Sequence, residues 1–256
     1  MNYLISGLAK SGTTILFSRL QQAIAGEPDT FFEPHTDEQF ADILAGESSD
    51  TLTKVLIGRA TSANADIANF DRHVLIHRDP RDQFISMLLY LFYDFQLNGD
   101  QAAYDQAAAA LQDKVNNPGQ YSTIELYNTV SSLVGRAPAG VFKNLHREQR
   151  LFEDSFSPFL LRYEDFIDHK LDAAEDYLGL SLSNSAQVPS EYSRVARSKS
   201  YGEWRHWLND EDLAYINKHW GKTLSRLGYP AVEQAQDLNI STKNSLGYVA
   251  QFSPST

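Results

Sequence analysis

The sequence predicts an α/β fold in which a parallel sheet carries helices on both faces. Apolar, strand-like runs alternate with longer segments of helical periodicity, which is the order typical of a doubly wound sheet. A loop of small and hydroxyl-bearing residues joins the first strand to the first helix, as in sites that bind phosphate groups. The strand-like runs are residues 3–6, 54–59, 73–78 and 159–163.

Two strand-to-helix units have clear local signals. Residues 73–77 (HVLIH) have the pattern of a buried strand, after which Asp79 offers an N-cap and Pro80 suits the first position of a helix. Residues 162–180 repeat this switch, and Gly179 suits the C-cap of the second helix. We therefore expect a helix after each of these strands.

The rest of the chain adds helices without a clear linker. Residues 96–121 predict a helix and a loop, which we interpret as part of a substrate lid, and residues 121–156 predict helices with a break at 135–140. The last residues lack periodicity and are rich in Asn, Gln, Ser and Thr. We expect one domain over residues 1–232 and a C-terminal tail or surface strap over 233–256.

The composition excludes several classes of protein. The net charge of −11, from 33 acidic and 22 basic residues, argues against nucleic-acid binding, because phosphate backbones need a basic field. No cysteine is present, which excludes disulfides and thiolate metal sites. The longest apolar run, residues 84–93, is far shorter than the roughly 20 residues of a membrane span. Since no signal peptide fits before the first strand, we expect a soluble, cytoplasmic protein.

The first candidate site is the loop SGLAKSGTT at residues 6–14. Gly7 and Gly12 have the spacing of the nucleotide-binding loop G-x-x-x-x-G-K-[ST], but Thr13 stands in place of its lysine, and this loop has Lys10 instead. The backbone amides of residues 11–14 and the start of the helix would face an anion. The alternative is an ordinary strand-to-helix turn.

Two further segments place cations where they would suit an anionic ligand. Arg78 ends a strand and Ser86 lies eight residues later in the next helix, an arrangement that suits a phosphate clamp. Arg197 and Lys199, next to Ser198, form a cationic loop in an acidic protein. Each segment has a structural alternative: an Arg–Asp pair at the strand end, and a solvated charge run before a helix.

Together these segments resemble the sulfotransferase superfamily, whose members use 3′-phosphoadenosine 5′-phosphosulfate (PAPS). Its motifs are a P-K-S-G-T-T-like loop, an Arg followed by a Ser, a Y-E-D segment and an R-K-G-x-x-G-D-W-like loop. The matching segments here are AKSGTT at 9–14, Arg78 with Ser86, RYEDF at 162–166, and residues 197–204 with Gly202 and Trp204 in register. The resemblance implies a P-loop-like, three-layer α/β/α fold with a central, mainly parallel sheet and a helical substrate-binding or lid region.

The resemblance also implies roles for these residues. Lys10 would contact the oxygen between phosphorus and sulfur, and Tyr163 would lie near the nucleotide. Sulfuryl transfer is in-line and loose, like phosphoryl transfer, so positioning and charge stabilisation dominate, and we expect no metal. The residues predicted to bind PAPS, or its product 3′,5′-adenosine bisphosphate (PAP), are Lys10, Ser11, Gly12, Thr13, Thr14, Arg78, Ser86, Tyr163, Arg197, Ser198 and Lys199.

The general base is a separate question, because residues 54–59 (KVLIGR) lack the histidine of the K-T-H segment in cytosolic members of the superfamily. Residues 32–34 (FEP) and 78–81 (RDPR) instead resemble carbohydrate sulfotransferases. We therefore predict that Glu33 is the general base and that Lys10 is the other catalytic residue. His35 is the alternative base, because histidine titrates near neutral pH without help.

The resemblance implies transfer of a sulfuryl group from PAPS to a hydroxyl of a carbohydrate or another small metabolite. A small-molecule kinase is the alternative enzyme, although Thr13 replaces the lysine of its loop and no strand ends in an Asp placed to hold Mg²⁺. A non-catalytic nucleotide-binding protein of the same fold is the third possibility. The acceptor and the oligomeric state stay open.

Overall fold

The computed structural model describes residues 1–34, 36–46, 50–58, 65–182, 197 and 200–254. The chain divides into two compact units, each made of two segments. Unit 1 comprises Met1–Arg78 and Asn144–Ala196, and unit 2 comprises Asp79–Lys143 and Arg197–Thr256. The predicted division into one domain over 1–232 and a tail over 233–256 stays a prediction.

Unit 1 is built on a five-stranded sheet whose neighbouring strands are all parallel in the described part. Its strands are β1 (Asn2–Gly7), β2 (Asp29–Phe32), β3 (Thr51–Leu56), β4 (Arg72–His77) and β5 (Phe159–Arg162), in the order β2-β3-β1-β4-β5. The predicted parallel sheet is confirmed. Two details of the strand prediction were wrong, because β2 was not predicted and β3 begins before residue 54. Strand β2 is short and only half-buried, so it lacks the apolar run that reveals a central strand.

The helices alternate with these strands and continue beyond them. None of the described helices is long and apolar enough to cross a bilayer. As the local signals predict, Asp79 caps its helix by accepting a hydrogen bond from the Arg81 amide, and Gly179 ends another in a left-handed conformation. The helices are α1 (Thr13–Ala23), α2 (Asp37–Ala45), α3 (Pro80–Tyr90), α4 (Phe92–Asn98), α5 (Gln101–Asn116), α6 (Thr123–Leu133), α7 (Phe142–Phe156), α8 (Tyr163–Ile167), α9 (Asp172–Leu178), α10 (Trp204–Trp207), α11 (Asp210–Arg226) and α12 (Leu246–Val249).

Helices cover both faces of the sheet in unit 1. Because side chains alternate along a strand, Ile5 of β1 points to one face and Leu4 to the other. The first face packs against α1, α8 and α9 in a buried cluster that includes Leu16. The second face packs against α2 and α7 in a cluster that includes Phe40 and Phe152. The predicted three-layer α/β/α arrangement is therefore confirmed.

Unit 2 is helical in its described part. Phe84 of α3 is fully buried, with its ring centroid 5.1 Å from that of Trp220 in α11. A buried carboxylate joins two helix starts: Asp212 of α11 accepts hydrogen bonds from the amides of Thr123 and Ile124 in α6, at 2.9 and 3.0 Å. The predicted helical region is present, and its role as a substrate lid stays a prediction.

Candidate functional site

The loop after β1 needs its two glycines for different reasons. A Cβ atom at Gly7 would lie 2.6 Å from the carbonyl oxygen of Ile76 and 2.6 Å from Ser11 Oγ, so the close approach of neighbouring atoms excludes a side chain. Gly12 has a φ of 105°, in the left-handed region, and a Cβ there would lie 2.5 Å from Cδ2 of Tyr163. The spacing of the two glycines thus reflects packing around the loop as well as its curvature.

The backbone of this loop contains two left-handed residues, a conformation that occurs in anion-binding nests. Lys10 and Gly12 are left-handed, with φ of 66° and 105°, and the intervening Ser11 is not. The Ser11 amide donates to the carbonyl of Leu8 at 3.2 Å, so this amide closes the turn. The sequence had predicted that it would face an anion instead. The amides at the start of α1, by contrast, have no acceptor within their own helix. The donors that would face an anion therefore begin at Gly12.

The side chain of Ser11 adds a second sign of a ligand site. Its hydroxyl is fully buried and has no hydrogen-bond partner in the part of the chain that the structure describes. Buried polar groups almost always have a partner, so an orphaned hydroxyl calls for an explanation. Non-glycine residues held in the left-handed region, such as Lys10, also cluster at functional sites. Both features lie within the same turn.

Arg78 and Tyr163 meet at the ends of neighbouring strands. Arg78 follows the last residue of β4 and Tyr163 follows the last residue of β5, and these last residues, His77 and Arg162, pair across the sheet. The Arg78 guanidinium lies 4.5 Å from the centroid of the Tyr163 ring, a cation–π contact. The same ring borders Gly12. The structure thus brings together three residues predicted to bind the nucleotide.

These groups share one edge of the sheet in unit 1. In a parallel sheet the carboxyl ends of the strands lie at the same edge, which is where ligands bind in open α/β folds. The Lys10 loop follows β1, Glu33 follows β2, Arg78 follows β4 and Tyr163 follows β5. Residues from distant parts of the sequence therefore converge on the edge that the fold class favours for a ligand.

Glu33 is held by a lysine that sequence analysis missed. Lys54 of β3 lies opposite Phe32 of β2, and its Nζ is 2.5 Å from Glu33 Oε1 and 4.0 Å from the centroid of the Phe32 ring. The side chains of Lys54 and Glu33 are 3% and 18% exposed. The Glu33 amide also donates to the Lys54 carbonyl at 2.8 Å. The carboxylate is thus fixed through its backbone and through its side chain.

A signal for Lys54 was present in the sequence. A charged residue within a buried apolar strand needs an ionic partner, although the sequence alone does not say which one. Glu33 has a left-handed φ of 57°, which places a second predicted catalytic residue in a strained conformation. His35, the alternative base, lies outside the described residues. Within the described ranges, no group of three or more His, Asp or Glu side chains is arranged to hold a metal.

Thr13 and Thr14 begin α1 in unit 1, whereas Ser86 and Arg197 belong to unit 2. Ser86 is buried on α3, and Ser198 and Lys199 lie outside the described residues. The Arg197 side chain is 6% exposed and forms an ion pair with Glu203. Its buried Nε has no hydrogen-bond partner among the described residues. The Arg197 side chain is therefore not exposed to solvent, and none of the described residues accepts a hydrogen bond from its Nε.

A polar cavity of about 350 Å³ adjoins this part of unit 2. Hydroxyl, amide and aromatic groups line it, among them Tyr201, Glu203, Asn239 and Asn244. Glu203 thus faces both the cavity and Arg197. The ion-pair partner of Arg197 therefore borders a space that a polar ligand can enter.

Comparison with known proteins supports the fold. No protein-family model matches the sequence, and no curated protein matches it. Among solved structures, the chain is similar to mouse sulfotransferase SULT7A1 complexed with PAP, with a TM-score of 0.52 and 13% sequence identity. The similarity covers 87% of this chain and 84% of that chain. The chain therefore has the α/β fold of a sulfotransferase, as the sequence resemblance implied.

Proposed function

We propose that this protein is a sulfotransferase that moves a sulfuryl group from PAPS to a hydroxyl of a carbohydrate or another small-molecule acceptor. The observation that carries the proposal is the convergence of the Lys10 loop, Arg78 and Tyr163 at one edge of the sheet. The fold supports it, because a sulfotransferase solved with PAP shares that fold.

The residues at this edge fit a phosphosulfate group. The Ser11 hydroxyl is buried without a partner among the described residues, and the left-handed backbone at Lys10 and Gly12 is suited to an anion. In the proposal, Lys10 and the amides and hydroxyls at the start of α1, including Thr13 and Thr14, hold that group. PAPS, when bound, supplies the activated sulfuryl group.

The 3′-phosphate is assigned to a second set of residues. In unit 1, Arg78 would bind it by charge-assisted hydrogen bonds. For Ser86, Arg197, Ser198 and Lys199 of unit 2, the same role is proposed from the sequence resemblance. Tyr163 would lie beside the nucleotide, where its ring already holds the Arg78 guanidinium. These contacts would position the nucleotide and would leave the chemistry to other groups.

Glu33 and Lys10 carry the chemistry in this proposal. Glu33 would accept the proton of the acceptor hydroxyl while the new oxygen–sulfur bond forms and the bond between sulfur and the phosphate oxygen of PAPS breaks. Lys54 holds the carboxylate in place. Lys10 would place a positive charge next to the phosphate oxygen of PAP from which the sulfuryl group is transferred. His35 is kept as the alternative base.

Thermal-shift measurements with PAP, ATP, and ATP plus Mg²⁺ test the proposal. A ligand at 100 times its Kd stabilises the native state by about 2.7 kcal/mol, which raises the Tm of a chain of this size by roughly 5–10 °C. We expect this shift with PAP. A shift with ATP that depends on Mg²⁺ and exceeds the PAP shift would favour the kinase alternative, and no shift with any nucleotide would refute nucleotide binding.

Transfer from radiolabelled PAPS to a panel of acceptors tests the reaction itself. The panel should contain monosaccharides, oligosaccharides and simple alcohols, because the proposal requires only a hydroxyl group. Labelled product from at least one member is the expected result. PAP binding without any transfer would favour the non-catalytic nucleotide-binding alternative.

A further inference from the structure

A buried carboxylate in unit 2 holds the described segment 200–204, which follows Arg197 in the sequence. Asp82 of α3 is 1% exposed, and its two oxygens accept hydrogen bonds from two backbone amides of that segment. The Gly202 amide donates to Oδ2 at 2.5 Å and the Trp204 amide donates to Oδ1 at 3.0 Å. One side chain therefore fixes the backbone on both sides of Glu203.

The contacts continue from Glu203 to Arg197. Glu203 forms the ion pair with Arg197 and accepts a hydrogen bond at 3.1 Å from Asn244 Nδ2. Arg197 Nη1 in turn donates to the Asn244 carbonyl at 3.2 Å. A continuous set of polar contacts thus joins Asp82 to the guanidinium of Arg197, through the backbone that carries Glu203.

Arg81, which precedes Asp82 in the sequence, packs against the same segment. Arg81 is 2% exposed, and its guanidinium donates hydrogen bonds to both carboxylate oxygens of Asp79. The same guanidinium lies 3.8 Å from the centroid of the Trp204 ring. Its Nη1 also donates to the Pro230 carbonyl at 3.0 Å. Burying two carboxylates and an arginine costs free energy unless these groups are paired by well-formed hydrogen bonds. Here both Asp79 and Asp82 accept hydrogen bonds from nearby donors.

We propose that Asp82 is a positioning residue for nucleotide binding: by holding the backbone at residues 202 and 204 it fixes Glu203, and through Glu203 it orients Arg197 toward an anionic ligand. This inference rests on the proposed function, in which Arg197 binds the 3′-phosphate. Its structural half, the bracing of the segment by Asp82, stands on the hydrogen bonds alone.

Hydrogen exchange of the protein without ligand tests the structural half. Asp82→Asn leaves only one acceptor oxygen, so at least one of the two amide bonds is lost. Exchange at the Gly202 or Trp204 amide should accelerate roughly tenfold or more. Asp212→Asn is the matched control, because Asp212 is an equally buried carboxylate that holds amides in α6 of the same unit. The control should leave exchange at residues 202 and 204 unchanged.

Calorimetry with two nucleotides tests the functional half. For Asp82→Asn we expect PAP affinity to fall about tenfold, while the affinity for adenosine 5′-phosphosulfate, which lacks the 3′-phosphate, changes less than about threefold. In turnover, KM for PAPS should rise more than kcat falls. Unchanged exchange, unchanged PAP affinity, or equal losses for both nucleotides would refute the inference. If the wild-type protein binds neither nucleotide, the proposed function fails and the functional half of the inference fails with it.

Glu203→Gln is a second variant that avoids the buried carboxylate, in case Asp82→Asn does not fold. The amide keeps the shape of the side chain and weakens its hold on Arg197, so PAP affinity should again fall by about tenfold. If PAP binds this variant more tightly than the wild type, Glu203 competes with the phosphate for Arg197, and the positioning role is wrong.

Discussion

Replacing Glu33 by Gln should lower both the turnover of the enzyme and the stability of the fold. If Glu33 is the base, the amide cannot accept the acceptor's proton, and turnover should fall by roughly 10²–10⁴. The substitution also removes the partner of Lys54, which is 3% exposed and 2.5 Å from the carboxylate. Breaking a buried pair in this way costs about 3–5 kcal/mol, and the partial exposure of Glu33 favours the lower end. A loss of about 3 kcal/mol lowers the Tm by roughly 6–12 °C.

The double variant Glu33→Gln/Lys54→Met separates these two effects. Met keeps most of the length of the Lys54 side chain over the Phe32 ring and removes its charge, so no buried ammonium is left without a carboxylate. We expect the Tm to recover toward the wild-type value, while turnover stays as low as in Glu33→Gln. The measurements are thermal unfolding and initial rates at saturating PAPS, with the best acceptor from the panel.

The control for this experiment is His35→Asn. If that variant loses activity while Glu33→Gln keeps it, the histidine is the base and the role assigned to Glu33 is wrong. If Glu33→Gln lowers the Tm but leaves turnover within about threefold of wild type, the Glu33–Lys54 pair is purely structural, since a lost base costs far more than that. PAP affinity should hardly change in either variant, because the base faces the acceptor.

Three other changes test the site and the core. Lys10→Ala should lower turnover from PAPS by about 10²–10³ without changing the Tm, and wild-type turnover would contradict its role. Arg78→Ala should weaken PAP binding about tenfold to a hundredfold in calorimetry, and adenosine 5′-phosphosulfate binding much less; equal losses would show that it does not bind the 3′-phosphate. Burial lowers the pKa of His73 from 6.5 to about 4, so between these pH values only the unfolded chain binds the proton. The unfolding free energy should therefore fall by up to about 3 kcal/mol from pH 6.5 to 4, and by less in His73→Gln; equal slopes in urea unfolding would contradict this.

The features that the sequence predicted are those encoded within a few neighbouring residues. The cap at Asp79 with Pro80 and the left-handed Gly179 depend on local backbone geometry, and the structure has both. The alternation of strands and helices leads directly to a parallel sheet with two covered faces. The loop after β1 was recognised in the same way, although its amide at Ser11 turned out to close the turn.

The features that the sequence missed depend on contacts between distant residues. Strand β2 became visible only through its pairing with β3, and that pairing is what places Lys54 beside Glu33. No pattern within either segment encodes the register between them. The requirement for glycine at position 12 also depends on a distant residue, because the Tyr163 ring occupies the space where a side chain would lie.

The motif at residues 197–204 shows how a sequence match and a chemical role can differ. Its agreement with the sulfotransferase pattern rests on Gly202 and Trp204, and both positions have structural requirements of their own. Gly202 has a left-handed φ of 81°, which favours glycine, and Trp204 packs its ring against the Arg81 guanidinium. The agreement at these two positions is therefore stronger evidence for the fold than for a ligand. The chemical role of the motif depends on Arg197, and the measurements with PAP and adenosine 5′-phosphosulfate address that role directly.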